Sequence, residues 1–241
     1  MSISRPQLPA GIPATDLDTE QRLLQALEQC SEGEKRAEVL WELSRFYHYQ
    51  VQRSDLADAL LNLMTTERAS NERKAVFYLS LGQNAQTDGK WDLALGHYEL
   101  GLSRSPKEPL TLYLLYNNGA HCRNMLGFYV EAEQYSRLAI ATDSQRHEAY
   151  INLGISLEAQ RDFTGAAWGF VEAIKAKRSD PQAVELLRQL LINHPTLPLE
   201  SPWIEQELEL VWSYKREMTD VADRGSRLYE HKEMRNGEAA D

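Results

Sequence analysis

Hydrophobic residues recur three, four or seven positions apart through most of this 241-residue chain, and polar clusters interrupt them at intervals. That spacing puts them on one face of an α-helix. Three stretches align: YLSLGQNAQTDGKWDLALGHYELGLSRSP from Tyr78, LYNNGAHCRNMLGFYVEAEQYSRLAIATDS from Leu115 and YINLGISLEAQRDFTGAAWGFVEAIKAKRSD from Tyr150. Each reaches a pair ending in glycine: Leu81-Gly82, Asn118-Gly119 or Leu153-Gly154. A polar knee follows, then an aromatic residue (Trp91, Tyr129, Phe163) and an alanine three residues later (Ala94, Ala132, Ala166). Tyr98/Gly101, Ser136/Ala139 and Phe170/Ala173 close the units. A fainter copy, LWELSRFYHYQVQRSDLADALLNLM, precedes them with Leu40, Leu43-Ser44, Tyr47, Ala57, Leu61 and Met64. The pattern predicts four helix hairpins over about 37–68, 75–108, 112–144 and 147–178.

The residue types follow from packing. Small residues such as Gly82, Gly119, Gly154, Ala94, Ala132 and Ala166 stand where the two helices of a hairpin approach closely, and large ones fill the space beside them. One hairpin cannot bury its apolar face alone, whereas stacked hairpins share a core. The ends read as covers for such a stack. Leu23, Leu24, Leu27 and Cys30 share one face of a cap helix over 16–31, with Asp18 and Gln21 spaced as a capping box. Asp180-Pro181 opens a partial helix over 180–194, stopped by Pro195 and Pro198. Ser201-Pro202 starts a long helix over 201–235, whose stripe of Val211, Met218, Val221 and Leu228 serves either as a lid or as a homodimer interface. Residues 1–15, with three prolines, read as a flexible lead-in, and 236–241 as a disordered tail.

The repeated unit resembles the tetratricopeptide repeat (TPR), W-x2-L-G-x2-Y followed by Ala, Phe and Pro over 34 residues. The second unit carries Tyr78, Leu81-Gly82, Ala85, Gly89, Ala94, Tyr98 and Pro106. The third departs, with Asn118 for Leu and one surplus residue before Gly127; the first departs with Ser44 for Gly and an extra residue in its knee. The resemblance covers roughly residues 37–178 and implies an all-α, right-handed superhelical solenoid of antiparallel helix hairpins with helical caps, here spanning 16–194.

Charge and candidate chemistry narrow the function. A net charge of −10 opposes a nucleic-acid partner, which needs a basic face. Cys30 and Cys122 are far apart and outside any CxxC spacing. None of the six histidines pairs with another at i, i+4, and His121 and Cys122 point about 100° apart on a helix, so no metal site is expected. Gly82, Gly89 and Gly96 match neither a P-loop nor a dinucleotide fingerprint, and no nucleophile elbow occurs. No cofactor and no catalytic residue is assigned, and no segment is apolar for long enough to span a membrane. The expectation is a cytoplasmic, non-catalytic adaptor, or else a recruiting or regulatory subunit of an enzyme or assembly complex.

The family resemblance implies that the first helix of each hairpin lines a concave groove for a peptide segment of another protein. It places Glu38, Trp41, Arg45 and His48 there from the first unit, and Leu79, Ser80 and Gln83 from the second. Tyr113, Tyr116, Asn117 and Arg123 follow from the third, and Glu148, Ile151, Asn152 and Ile155 from the fourth. Asn117 and Asn152 are equivalent, and amides in series can grip a peptide backbone. The family's clamp for an acidic chaperone tail is disfavoured: basic residues are mostly missing, and Glu148 would repel a carboxylate.

Overall fold

The computed structural model describes residues 14–30, 33–51, 53–66, 69–204 and 206–207, and among them every regular element is helical. Two compact units result, Met1–Asp143 and Ser144–Asp241. The first holds α1 (Ala14–Gln29), α2 (Glu34–Arg45), α3 (Ser54–Thr66), α4 (Asn71–Thr87), α5 (Trp91–Ser103), α6 (Pro109–Leu126) and α7 (Tyr129–Thr142). The second holds α8 (His147–Ala159), α9 (Phe163–Ala176), α10 (Pro181–Asn193) and α11 (Leu197–Glu200). Helices pack most tightly with their sequence neighbours, as α2/α3, α4/α5 and α6/α7 in the first unit and as α8/α9 in the second. No described helix is long and apolar enough to cross a membrane.

The glycine positions act through packing. A Cβ added to Gly82 would lie 2.3 Å from the ring of the fully buried Tyr98, and one on Gly154 would lie 2.4 Å from Phe170. Ala94, Ala132 and Ala166 are fully buried. Trp91, Tyr129 and Phe163 each start the second helix of a hairpin. The knees before them turn through the left-handed region, at Gly89 (φ 72°), Gly127 (φ 83°) and Arg161 (φ 67°). Glycine accepts that conformation freely and arginine does not.

In the first hairpin the extra knee residue becomes a π-helical turn, Phe46–Gln50, in which the Val51 N–H donates to the Phe46 carbonyl at 3.2 Å. A π turn admits one residue more than an α turn. Leu40, Leu43, Phe46, Tyr47, Ala57, Leu61 and Met64 form the core here, and Leu23, Leu24 and Leu27 of α1 pack on it. The Tyr47 hydroxyl donates to Glu20 at 2.6 Å inside the same core. α1 begins four residues before Asp18, so Asp18 and Gln21 form no capping box. The Asp18 carbonyl instead accepts from Arg22 within the helix, because a helix extends past a capping side chain when the residues upstream can join it.

Other ends carry side-chain caps. Ser70 accepts from the Arg73 N–H, Glu108 from Thr111, Asp162 from Gly165 and Asp180 from Gln182. In the second unit Asp180 also lies 2.6 Å from His147 Nε2, tying the start of α8 to the start of α10. The Gln182 N–H, together with His147, holds the Asp180 carboxyl below its usual range. Pro198 does not end a helix but opens the short α11. Of the long helix expected over 201–235, Trp203, Ile204, Gln206 and Glu207 are described and helical. Val211, Met218, Val221 and Leu228 lie outside the described residues, as do residues 1–13 and 236–241.

Candidate functional site

The first unit contains a hollow of about 620 Å³ whose walls come mainly from α2 and α4. From α2 and the π turn it takes Trp41, Ser44, Arg45 and His48; from α4, Ser80, Gln83, Asn84, Gln86 and Thr87. Ala57 and Leu61 of α3 line it too, as do Trp91 and Asn118. Helical periodicity explains the gathering: 41, 44, 45 and 48 share one face of the first helix, and 80, 83, 84 and 87 one face of α4. A second hollow of about 530 Å³ continues toward the N-terminal ends of α2 and α4, sharing Trp41 and Arg45 with the first. Arg45 also borders a third, against α1.

Most polar groups of the larger hollow are committed within the protein. The hydroxyls of Ser44, Ser80 and Thr87 donate to carbonyls of their own helices. Asn84 donates to Asp58 at 2.8 Å, and Gln86 accepts from the Tyr98 hydroxyl at 2.8 Å. Among the described residues, the exposed side chains of Arg45 and Gln83 have neither a hydrogen bond nor an ion pair. Trp41 is half-buried, its ring 5.9 Å from that of Phe77. Five of the expected contact residues, Trp41, Arg45, His48, Ser80 and Gln83, therefore meet in one hollow.

Six others in the same unit do not line it, of which Glu38 borders the second hollow. Leu79 is 6% exposed and belongs to a core cluster with Ala75, Ala94, Tyr98, Leu115 and Cys122; Tyr113 is 1% exposed. Both are core residues, because α4 and α6 are flanked by helices on two sides and only a narrow strip of each stays open. Leu79 and Trp41 hold equivalent places, and in both hairpins that place packs toward later helices; only the larger indole also reaches the hollow. Tyr116 is half-buried, edge-on to Tyr135 at 5.7 Å. Asn117 is 8% exposed and donates to Asn118 at 3.3 Å. Arg123 is 7% exposed, with its guanidinium 3.6 Å above the Tyr135 ring and bonded to Glu99 (2.7 Å) and to the Gly119 carbonyl (3.2 Å). Its charge is spent within the unit.

In the second unit Asn152 is 5% exposed. Near it in sequence, burial raises the Glu158 pKa, opposed by His194, whose ring stacks on Phe163 at 3.6 Å. Burial also pushes the Cys122 thiol up to about 11, which leaves it unreactive. Among the described residues no three His, Cys, Asp or Glu side chains converge where a metal could sit.

Asn84, Gln86, Thr87, Trp91 and Asn118 were not expected in a site. Ser80, Gln83, Asn84 and Thr87 do form a polar run at helical spacing in the sequence, the mark of an open helix face.

No protein-family model and no curated protein matches the chain. Solved structures do. BtubC from P. vanneervenii superposes with a TM-score of 0.63 at 17% identity, covering 86% of this chain and 90% of its own. The C-terminal part of a TPR repeat-containing protein from Cytophaga hutchinsonii gives 0.59 at 14%, covering 83% and 74%. MamA from Desulfovibrio magneticus gives 0.59 at 13%, covering 75% and 96%. At such identities the likeness carries the fold alone. Together with the repeated Gly–aromatic packing and the paired helices, it establishes that the chain has the tetratricopeptide-repeat fold.

Proposed function

We propose that this protein is a non-catalytic interaction module that holds an extended segment of another protein in the trench between α2 and α4. One observation carries the reading: Arg45 and Gln83, two exposed polar side chains with no partner among the described residues, share a hollow with the half-buried Trp41. An amide offers both donor and acceptor to a peptide backbone, and an indole supplies rigid contact area at low entropic cost. The hydroxyls beside them keep lone pairs free to accept from a ligand. The test is affinity capture from an extract of the source organism. The wild-type chain retains a specific protein, and the Trp41→Ala/Gln83→Ala variant loses it while its far-UV circular dichroism is unchanged. Undiminished capture by the variant overturns this assignment of the trench.

A further inference from the structure

Glu38, Trp41, Glu42 and Arg45 stand at i, i+3, i+4 and i+7 of α2 and share one face. Opposite them on α4 run Arg73, Val76, Phe77, Ser80, Gln83, Asn84 and Thr87. The two hollows are thus successive halves of one trench, and the halves differ in charge. Toward the N-terminal ends of both helices the lining carries Glu38, Glu42 and Glu72, with Arg73 and Arg45. Arg73 is neutralised by Glu34 at 2.7 Å, and Glu72 accepts from the Lys107 N–H at 2.7 Å. Glu38 and Glu42 are exposed and have no hydrogen bond or ion pair among the described residues. Toward the C-terminal ends no carboxylate is found among the described lining residues, and Arg45 is the one Lys or Arg among them. Trp41 borders both halves.

From this polarity we infer that the trench selects a segment of mixed charge: a basic side chain at Glu38 and Glu42, an acidic one at Arg45, and an apolar residue between them on Trp41. The inference rests on the reading that the trench takes a segment of another protein. Seven residues of α2 separate Glu38 from Arg45, about 10 Å at the helical rise, which an extended chain covers in about three residues. The two charges of the ligand therefore stand about three positions apart. At physiological ionic strength charges are screened beyond about 8 Å, so selection comes from local contacts and not from the net charge of the protein. A uniformly acidic tail or a nucleic-acid strand would satisfy Arg45 while setting its next charges against Glu38 and Glu42, which is repulsive.

The experiment is selection from a synthetic library of random eight-residue peptides on the immobilised full-length chain. Enrichment of peptides with Lys or Arg about three positions from Asp or Glu, in one fixed order, is expected. The best of them should bind roughly tenfold more weakly to Arg45→Ala and to Glu38→Ala/Glu42→Ala, a loss typical of a removed charge contact. The variant Glu38→Lys/Glu42→Lys/Arg45→Glu should enrich the reversed order. Peptides that require Trp41 but show no charge pattern, or keep their order on the charge-reversed variant, overturn this inference and leave the trench reading intact. An empty selection, or peptides indifferent to Trp41→Ala, overturns both. A synthetic peptide of residues 208–241 that displaces the selected peptides at equal concentration would show that the occupant is this chain itself, which also overturns the proposal.

Discussion

The second and third hairpins of the first unit solve one packing problem in two ways. In α4/α5 the glycine at the close approach, Gly82, faces the ring of Tyr98, which is fully buried and donates its hydroxyl to Gln86. Burial drives that phenol well above its ordinary pKa. In α6/α7 the place corresponding to Tyr98 is Ser136, fully buried and too small to fill the gap. The neighbouring Tyr135 takes over beside Gly119, half-buried and covered by Arg123, which reaches across to Glu99 on α5. One hairpin is locked by a single ring in a tight socket, and the other is held by a cation sandwiched between a ring and a carboxylate. The first arrangement has no slack. The second has flexible side chains at its contact point.

The largest expected effect tests the socket. Gly82→Ala should destabilise by about 2–3 kcal/mol in urea unfolding, because the methyl meets a buried ring with no room to move. Next comes the cation. Arg123→Ala should cost about 2 kcal/mol through the lost stack and ion pair, and a double-mutant cycle with Glu99→Ala should return a coupling near 1 kcal/mol. A coupling of zero would remove Arg123–Glu99 as the substitute lock. Gly119→Ala should stay within about 1 kcal/mol of wild type: its Cβ would lie 3.2 Å from Tyr135, but ring and guanidinium can shift, and alanine's helix propensity offsets the crowding. Equal losses at Gly82 and Gly119 would erase the distinction between the hairpins.

A smaller effect concerns the knees. Gly89 and Gly127 turn the second and third hairpins, whereas Arg161 makes the equivalent left-handed turn in the second unit. Arg161→Gly should raise stability by about 1 kcal/mol, read as an increased thermal midpoint.

The smallest is a pH effect. α4 is capped by neutral Ser70, and α6 by Glu108, whose carboxyl the Thr111 N–H holds below its ordinary range. A carboxyl with a depressed folded pKa stabilises at pH values above its unfolded pKa, near 4.5, and that stabilisation is lost as pH falls through the lower folded value. Glu108→Ser keeps a cap but removes the titration. The difference in thermal midpoint between wild type and variant should therefore shift against wild type between pH 6 and pH 3. A constant difference would show that the cap charge contributes nothing.

Much of this was legible in the residues. Gly82, Gly154 and the three alanines announce close helix contacts because nothing larger fits there, and the period between them marks hairpins without reference to any partner. The surplus knee residue of the first unit was visible too, though not that it would become a π turn. Side-chain destinations were harder. Leu79 and Tyr113 sit in the register of groove residues, yet neighbouring helices claim them; Ser136 looks like the packing residue of its hairpin, yet Tyr135 fills the space.

The sequence by itself determined that this chain folds as paired helices, where each pair turns and which small residues let each pair close, since all of these depend on contacts within some forty positions. Only the tertiary structure decided which exposed faces meet across α2 and α4, leaving Arg45 and Gln83 without partners among the described residues beside Trp41 while Arg123 is consumed by Tyr135 and Glu99. Whether a polar side chain is free for a ligand depends on every neighbour within reach of it in space, and linear order does not specify those neighbours.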